Sequence, residues 1–352
     1  MSKLTNRRKG DHVRICVKED VGYSHNYFDD IDFVHGALTE LNYDDLDTGV
    51  RFINHTLKHP FMITAITGGY PEAEKINKAF AKMCEKHGLA FGLGSQRAML
   101  EDPALKSTYC VRDIAPTIPI VGNIGAAQLF NYDYARINGM LKDIEADYLA
   151  VHLNTLQELI QPEGDRKFAG LREKINGLYR SIDFPVIIKE TGAGITGRIA
   201  SRIIGWGSGV KGIDVAGRGG TSWSKVEGLR GGRVGPFAEW GVPTPVCIAE
   251  VAHMGIFTIG SGGVRNGLDA AKSIALGADI VGAARPFIKA YYSGNLEGLI
   301  SEWIDDLKRA MLLTNCQNVS ELFSKNIIIT GKTSEYMRAR GVDPARFGNR
   351  RK

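Results

Sequence analysis

Residues 151–165 read VHLNTLQELIQPEGD and gather an imidazole, two amides and a carboxylate within seven positions: His152, Asn154, Gln157 and Glu158. His152 and Asn154 share a face if the apolar run before them is a strand, because strand side chains alternate. Gln157 and Glu158 then fall on the connection that leaves it. A single carboxylate beside phosphate oxygens is the usual way to hold Mg²⁺, with water completing the shell, so Glu158 is a candidate metal ligand. An acidic first turn of a helix is the plainer reading of the same residue.

A second stretch, SGGVRNGLDAAKSIALGADIVGAARP (261–286), points to phosphate. Ser261, Gly262 and Gly263 end one apolar run before a helix expected to open at Asn266, and Gly282, Ala283 and Ala284 end the next. Backbone N–H groups reach phosphate oxygens where side chains are short, and a helix N-terminus adds positive potential. Close packing of glycines at a rim is the alternative. TAITGG (64–69), GLGSQR (92–97) and GNIGAAQ (122–128) put Thr67, Ser95, Gln96, Arg97 and Asn123 in equivalent positions after their own runs. Amide and backbone donors on a flat, glycine-lined wall suit a planar heterocycle whose ring edges need hydrogen bonds. Flavin mononucleotide, with its phosphate at 261–286, fits that arrangement.

Lys189 follows three apolar residues in VIIKETG. Three roles stand open for it: Schiff-base nucleophile, countercharge to an anionic ring, or rim residue facing solvent. KGIDVAGRGGTSW (211–223) adds Thr221 and Ser222, and the stretch onward to Trp240 lacks clear periodicity, which marks a lid. RRKGDH (7–12) leaves two readings: basic residues near a terminus are usually just solvated, or Arg8, Lys9 and His12 fold over the site, or over a neighbouring subunit's, and neutralise a diphosphate together with Arg97.

Positioning these side chains takes eight apolar runs, at 61–69, 89–95, 119–125, 148–154, 185–192, 211–217, 257–263 and 278–286. The segments between them have helical period, as in 72–88, where Ile76, Phe80 and Met83 recur before Gly88. Runs apolar on both faces and separated by helices are parallel strands covered on both sides. The expected fold is therefore α/β, a TIM (β/α)8 barrel over 60–312, with an N-terminal extension (1–59) and a C-terminal tail (313–352). A doubly wound sheet is the runner-up, but it would gather its polar residues at one crevice, whereas here nearly every run ends in them. FDDIDFVHGALTEL (28–41) is expected to form a short helix or cap on the barrel, and the basic tail to be mobile.

Composition sets outer bounds. The 352 residues carry a net charge of +5, with basic residues clustered near both termini, which suits phosphorylated small molecules better than nucleic acid. The termini lack the aromatic interleaving of a nucleic-acid surface. Five cysteines without CxxC spacing indicate reduced thiols in a cytoplasmic compartment. No run of membrane-spanning length occurs, and the start MSKLTNRRKGDH is not a signal peptide, so neither membrane insertion nor secretion is expected.

With RRKGDH, TAITGG, GLGSQR, GNIGAAQL, HLNTLQE with PEGD, VIIKETGAGI, AGRGGTSW and SGGVRNGLDAAKSIALGAD in this order, the sequence resembles the type 2, FMN-dependent isopentenyl-diphosphate isomerases. It departs from them at Ile66, where Met is usual, and at Gly36, where Arg is usual. The resemblance implies that Ala65, Ile66, Thr67, Ser95, Asn123, Lys189, Thr221, Gly262, Gly263, Ala283 and Ala284 bind FMN. It implies that Arg8, Lys9, Ser95, Gln96, Arg97 and Gln157 bind a diphosphate substrate near His152 and Asn154, and that Glu158 carries a Mg²⁺ bridging the diphosphate. The implied reaction interconverts isopentenyl and dimethylallyl diphosphate by a 1,3-allylic proton shift, in isoprenoid biosynthesis. Reduced FMN would act as acid/base and electronic stabiliser, with Lys189, His152, Asn154 and Gln157 supporting it. NADPH or NADH as reductant and a homotetramer or homo-octamer are implied as well. Two other chemistries share parts of the pattern. A flavin oxidoreductase of the hydroxy-acid-oxidase or IMP-dehydrogenase kind needs a His/Arg pair or a loop cysteine that is not evident after the sixth and seventh runs, and a flavin-free aldolase would use Lys189 as its Schiff base.

Overall fold

The computed structural model describes residues 2–207 and 209–350, with side chains from residue 8 onward. Each of the eight apolar runs contains a strand: β1 (Phe61–Ile63), β2 (Ala90–Gly92), β3 (Ile120–Gly125), β4 (Tyr148–His152), β5 (Val186–Lys189), β6 (Val210–Asp214), β7 (Phe257–Ser261) and β8 (Ile280–Ala283). They pair in parallel in chain order, and β8 returns to β1 to close the barrel. β3 shows why these runs are strands: all six of its residues are buried, as a strand covered by side chains inside and helices outside requires. Met62, Val121, Ala150, Ile187, Ile259 and Ile280 pack inside the barrel. Its N-terminal end is stoppered by the antiparallel pair Val50–Phe52 and His55–Leu57, whose Phe52 ring lies 5.1 Å from Tyr148 and 5.3 Å from Phe257.

The outer helices follow the expected period. Pro71–His87 buries Ile76, Phe80 and Cys84 against the sheet, with Met83 half-buried at the edge of that face. It stops at Gly88, whose φ of +64° is left-handed. None of the five cysteines is paired.

At the periphery one expectation holds in its second form and one is corrected. Residues 28–41 pack on the barrel as a cap, with Phe28 and Ile31 in its core, but not as an α-helix: a single 3₁₀ turn (Tyr27–Asp30) leads into a strand, Ile31–Phe33, paired antiparallel with Ile327–Ile329 from the C-terminal segment. The alternation of buried Ile31 with exposed Asp32 is the local signal for it. Nor is the segment after residue 313 a loose tail. A helix, Gly331–Ala339, buries Met337 and is held at its start by Asp30, whose Oδ2 accepts from the Thr333 backbone N–H and hydroxyl, both at 2.8 Å. Among the described residues no helix is long and apolar enough to cross a membrane.

Candidate active site

The C-terminal ends of the strands surround a cavity of about 550 Å³. The N-terminal helix, Ser2–Lys18, contributes Arg8, Lys9, His12, Val13 and Cys16 to its wall, so RRKGDH folds over the mouth of its own barrel. Arg285 secures that helix by donating to the carbonyls of Cys16 (3.0 Å) and Glu19 (2.7 Å). Every residue singled out above as a site residue lines the cavity except Gln96 and Ser222, the latter buried as the cap of a helix. Gln96 is fully buried behind the wall: its amide donates to Gly94 O at 2.6 Å and accepts from the Asn123 backbone N–H. It braces the loop after β2 against strand β3, because a buried amide is stable only with its polar atoms satisfied.

After β7, Gly262 and Gly263 have φ of +100° and +86°, a conformation that a side chain would strain. A Cβ on Gly263 would stand 2.7 Å from the Gly219 carbonyl carbon, so the β6 and β7 loops interlock backbone against backbone. Asn266 caps the helix Gly267–Leu276, its side chain accepting from Asp269 N at 2.8 Å. Ala283 and Ala284 lead into the helix Arg285–Ser293. The glycines of TAITGG have a different purpose from the one expected. Gly68 and Gly69 do not line the cavity; a Cβ on Gly68 would fall 2.7 Å from Tyr109 Cδ1 and one on Gly69 2.7 Å from the Tyr109 hydroxyl. They make room for a protein ring.

Between these loops the floor is polar. The Thr67 hydroxyl is buried and unpartnered. Lys189 donates to the Glu190 carbonyl at 2.6 Å and lines the cavity, which removes the solvent-facing reading. Asp214, beside Lys189 in the β5–β6 register, is buried and accepts from the Ser261 hydroxyl at 2.5 Å. Burial raises its pKa against the opposing pull of Lys189 and Ser261. His152 Nδ1 lies 2.6 Å from Asn123 Oδ1. Burial, then the charges of Lys189 and Lys9, push the imidazole down to about 3. It is therefore neutral near pH 7, and Nδ1 carries the proton because the amide oxygen can only accept.

Three cations crowd the other part of the wall. Arg8 stands 3.7 Å from Glu163, and Arg97 donates to Glu101 at 2.7 Å and stands 3.9 Å from Asp165. Lys9 donates to Ser95 O (2.5 Å) and to the Tyr109 hydroxyl (2.9 Å). Burial first, then Arg8, lowers Lys9 to about 7. Such a cluster attracts an anion.

Glu158 does sit in a short helix, Thr155–Ile160, as the plainer reading had it, yet its buried carboxylate is aimed: Oε1 accepts from Asn154 at 3.0 Å and Oε2 from the Asp165 N–H at 2.8 Å. No cluster of three or more His, Cys, Asp or Glu able to hold a metal occurs among the described residues. The residue that sequence reasoning missed is Glu227. The supposed lid is partly helical (Trp223–Leu229, capped by Ser222) and carries Glu227, fully buried behind the cavity wall. Its carboxylate accepts from Gln157 (2.8 Å) and Arg230 (2.5 Å) and stands 2.9 Å from His12 Nε2. Burial alone would raise Glu227, but His12, Gln157 and Arg230 outweigh it and hold it at about 2. His12 is shifted down, burial outweighing the pull of Glu227, so at neutral pH a neutral imidazole faces a carboxylate. A seven-residue helix with glycines on both sides leaves too little periodicity to be read.

Comparison with known proteins adds a lineage. Residues 172–329 match a family model described as FMN-dependent dehydrogenase. The chain is 42% identical to the isopentenyl-diphosphate delta-isomerase of Methanothrix thermoacetophila, covering 99% of both sequences. It is 39% identical to that of Pyrococcus furiosus, over 98% of this chain and 91% of the relative. Among solved structures, a flavocytochrome b2 variant with sulfite bound aligns with a TM-score of 0.64 at 20% identity, covering 88% of this chain and 81% of that one. A mandelate oxidase variant aligns with a TM-score of 0.63 at 14% identity, covering 93% and 99%. At such identity the structural likeness speaks for the barrel fold.

Proposed function

The chain belongs to the isopentenyl-diphosphate delta-isomerase family, and from that membership we propose that it interconverts isopentenyl and dimethylallyl diphosphate by a 1,3-proton shift beside a reduced FMN, with Mg²⁺ on the diphosphate. One observation carries the reading: Arg8, Lys9, Arg97 and the lone carboxylate of Glu158 line the same cavity as the small-residue cradle after β7 and β8.

The residues present fit FMN. Gly262, Gly263, Ala283 and Ala284 line the cavity with nothing larger than a methyl group, which lets a phosphate approach the backbone there, and the unpartnered Thr67 hydroxyl supplies a hydrogen bond that the protein itself does not use. Ala65, Ile66, Ser95, Asn123 and Thr221 would flank the ring, with Lys189 as its countercharge. Reduced FMN supplies electron density and an exchangeable proton beside the alkene, NADPH or NADH being the proposed source of its electrons. Glu158 fits Mg²⁺ as a single protein ligand, leaving the other positions to diphosphate oxygens and water.

The protein's own part is to bind, orient and exclude water. Arg8, Lys9 and Arg97 neutralise the diphosphate, and Ser95 and Gln157 complete its hydrogen bonds. Gln96, behind the wall, instead keeps Asn123 in place for His152. His152 and Asn154 are neutral, so they add dipoles without opposing cationic character on the substrate. Glu227 ties the lid helix to Gln157 and to His12 of the N-terminal helix, which closes the mouth against water. The test is turnover in D₂O under anaerobic conditions with Mg²⁺. Yellow protein reduced by NADPH or dithionite should interconvert the two diphosphates with deuterium entering at C2 and C4, and oxidised protein should not. Equal turnover by flavin-free protein would overturn the proposal.

A further inference from the structure

We infer that Tyr109 is a positioning residue that aims Lys9 at the diphosphate, an inference that rests on the substrate reading above. An ammonium has three N–H donors. Two are taken, by the Ser95 carbonyl at 2.5 Å and the Tyr109 hydroxyl at 2.9 Å, and the hydroxyl in turn donates to the same carbonyl at 2.8 Å. That leaves one N–H for a ligand, and Lys9 lines the cavity. Tyr109 itself lines no part of the cavity and is fully buried, so it acts only through Lys9 and Ser95.

The ring is built in. It stands 5.4 Å from the Lys9 ammonium, at cation–π distance, and packs on the backbone of Gly68 and Gly69, which lack the Cβ atoms that would displace it. The Gly-Gly step at the end of TAITGG thus serves a side chain forty residues onward. The charged and titratable groups around the ammonium are Arg8 on its own helix, Arg97 and Glu101 on the helix Arg97–Glu101, and His152 on β4.

Tyr109→Phe keeps the ring and removes the acceptor. Because the hydroxyl favours the charged ammonium, its loss makes Lys9 deprotonate at lower pH. The expected result is a KM for the diphosphate raised about tenfold, the worth of one such hydrogen bond, with kcat and flavin content as in wild type. The loss should grow as pH rises past neutrality, and inorganic pyrophosphate, titrated by calorimetry, should show the same weakening. Lys9→Ala combined with Tyr109→Phe should be no worse than Lys9→Ala alone. Tyr109→Phe with wild-type pyrophosphate affinity across pH, or a double variant whose losses add, overturns the assignment. Because pyrophosphate affinity is read without turnover, an inactive wild type would count against the proposed reaction while leaving this result to stand separately.

Discussion

Replacing Glu227 by Gln should open the site from above. The side chain is fully buried, and its carboxylate is held at about 2 instead of 4.5. That depression corresponds to on the order of 3 kcal/mol, at about 1.4 kcal/mol per tenfold change in proton affinity. Deleting one partner of a buried pair costs about 3–5 kcal/mol; Gln keeps one acceptor oxygen but turns an amide toward Arg230, so the lower end applies. For a chain of this size about 2 °C is lost per kcal/mol, and the melting temperature at pH 7 should fall by about 6 °C. The folded-state pKa lies below the unfolded one, so this stabilisation is complete above pH 4.5 and disappears as pH falls toward about 2. The gap between wild type and variant should therefore close on acidification. Limited proteolysis supplies a local readout: with His12 released, cleavage in residues 2–26 should accelerate in the variant. A Glu227→Gln protein that melts with wild type at neutral pH and resists protease equally would refute the claim that this carboxylate ties the lid to the N-terminal helix.

Gly262→Ala forces a side chain into a φ of +100° and against the β6 loop; we expect at least a tenfold loss of FMN affinity, read by flavin fluorescence in ultrafiltrates, the strain alone being worth about 1–3 kcal/mol. His152, held at about 3, should remain neutral in NMR titrations down to about pH 4 and add no limb to the pH–rate profile near neutrality; an imidazole titrating near its ordinary value would contradict its burial. Glu158→Gln should raise the Mg²⁺ concentration needed for half-maximal turnover about tenfold or more, while leaving the flavin spectrum unchanged. Asn266→Ala should cost about 1 kcal/mol through loss of the cap on Gly267–Leu276, measured as a lower melting temperature.

The barrel was legible in the amino-acid sequence because its evidence is local: each strand is a short run apolar on both faces, and its polar end follows within a few residues, as in VIIKE or IVGN. The same locality made the loop residues after β1 to β8 visible as one set, since parallel strands in a barrel present all their C-terminal ends on one side. What stayed hidden depends on partners distant in the chain. Ile31–Phe33 is a strand only because Ile327–Ile329 pairs with it, nearly three hundred residues away. Gly68 and Gly69 looked like approach space for a ligand until the ring of Tyr109 filled it, and Gln96, expected at the mouth with Ser95 and Arg97, turned inward to Asn123. Residue types and their order established which chemistry the chain carries; the folding of the lid and the first helix onto the barrel decided which side chains meet, because only tertiary contact brings Glu227 to His12 and Gln157 and buries that charge among its donors.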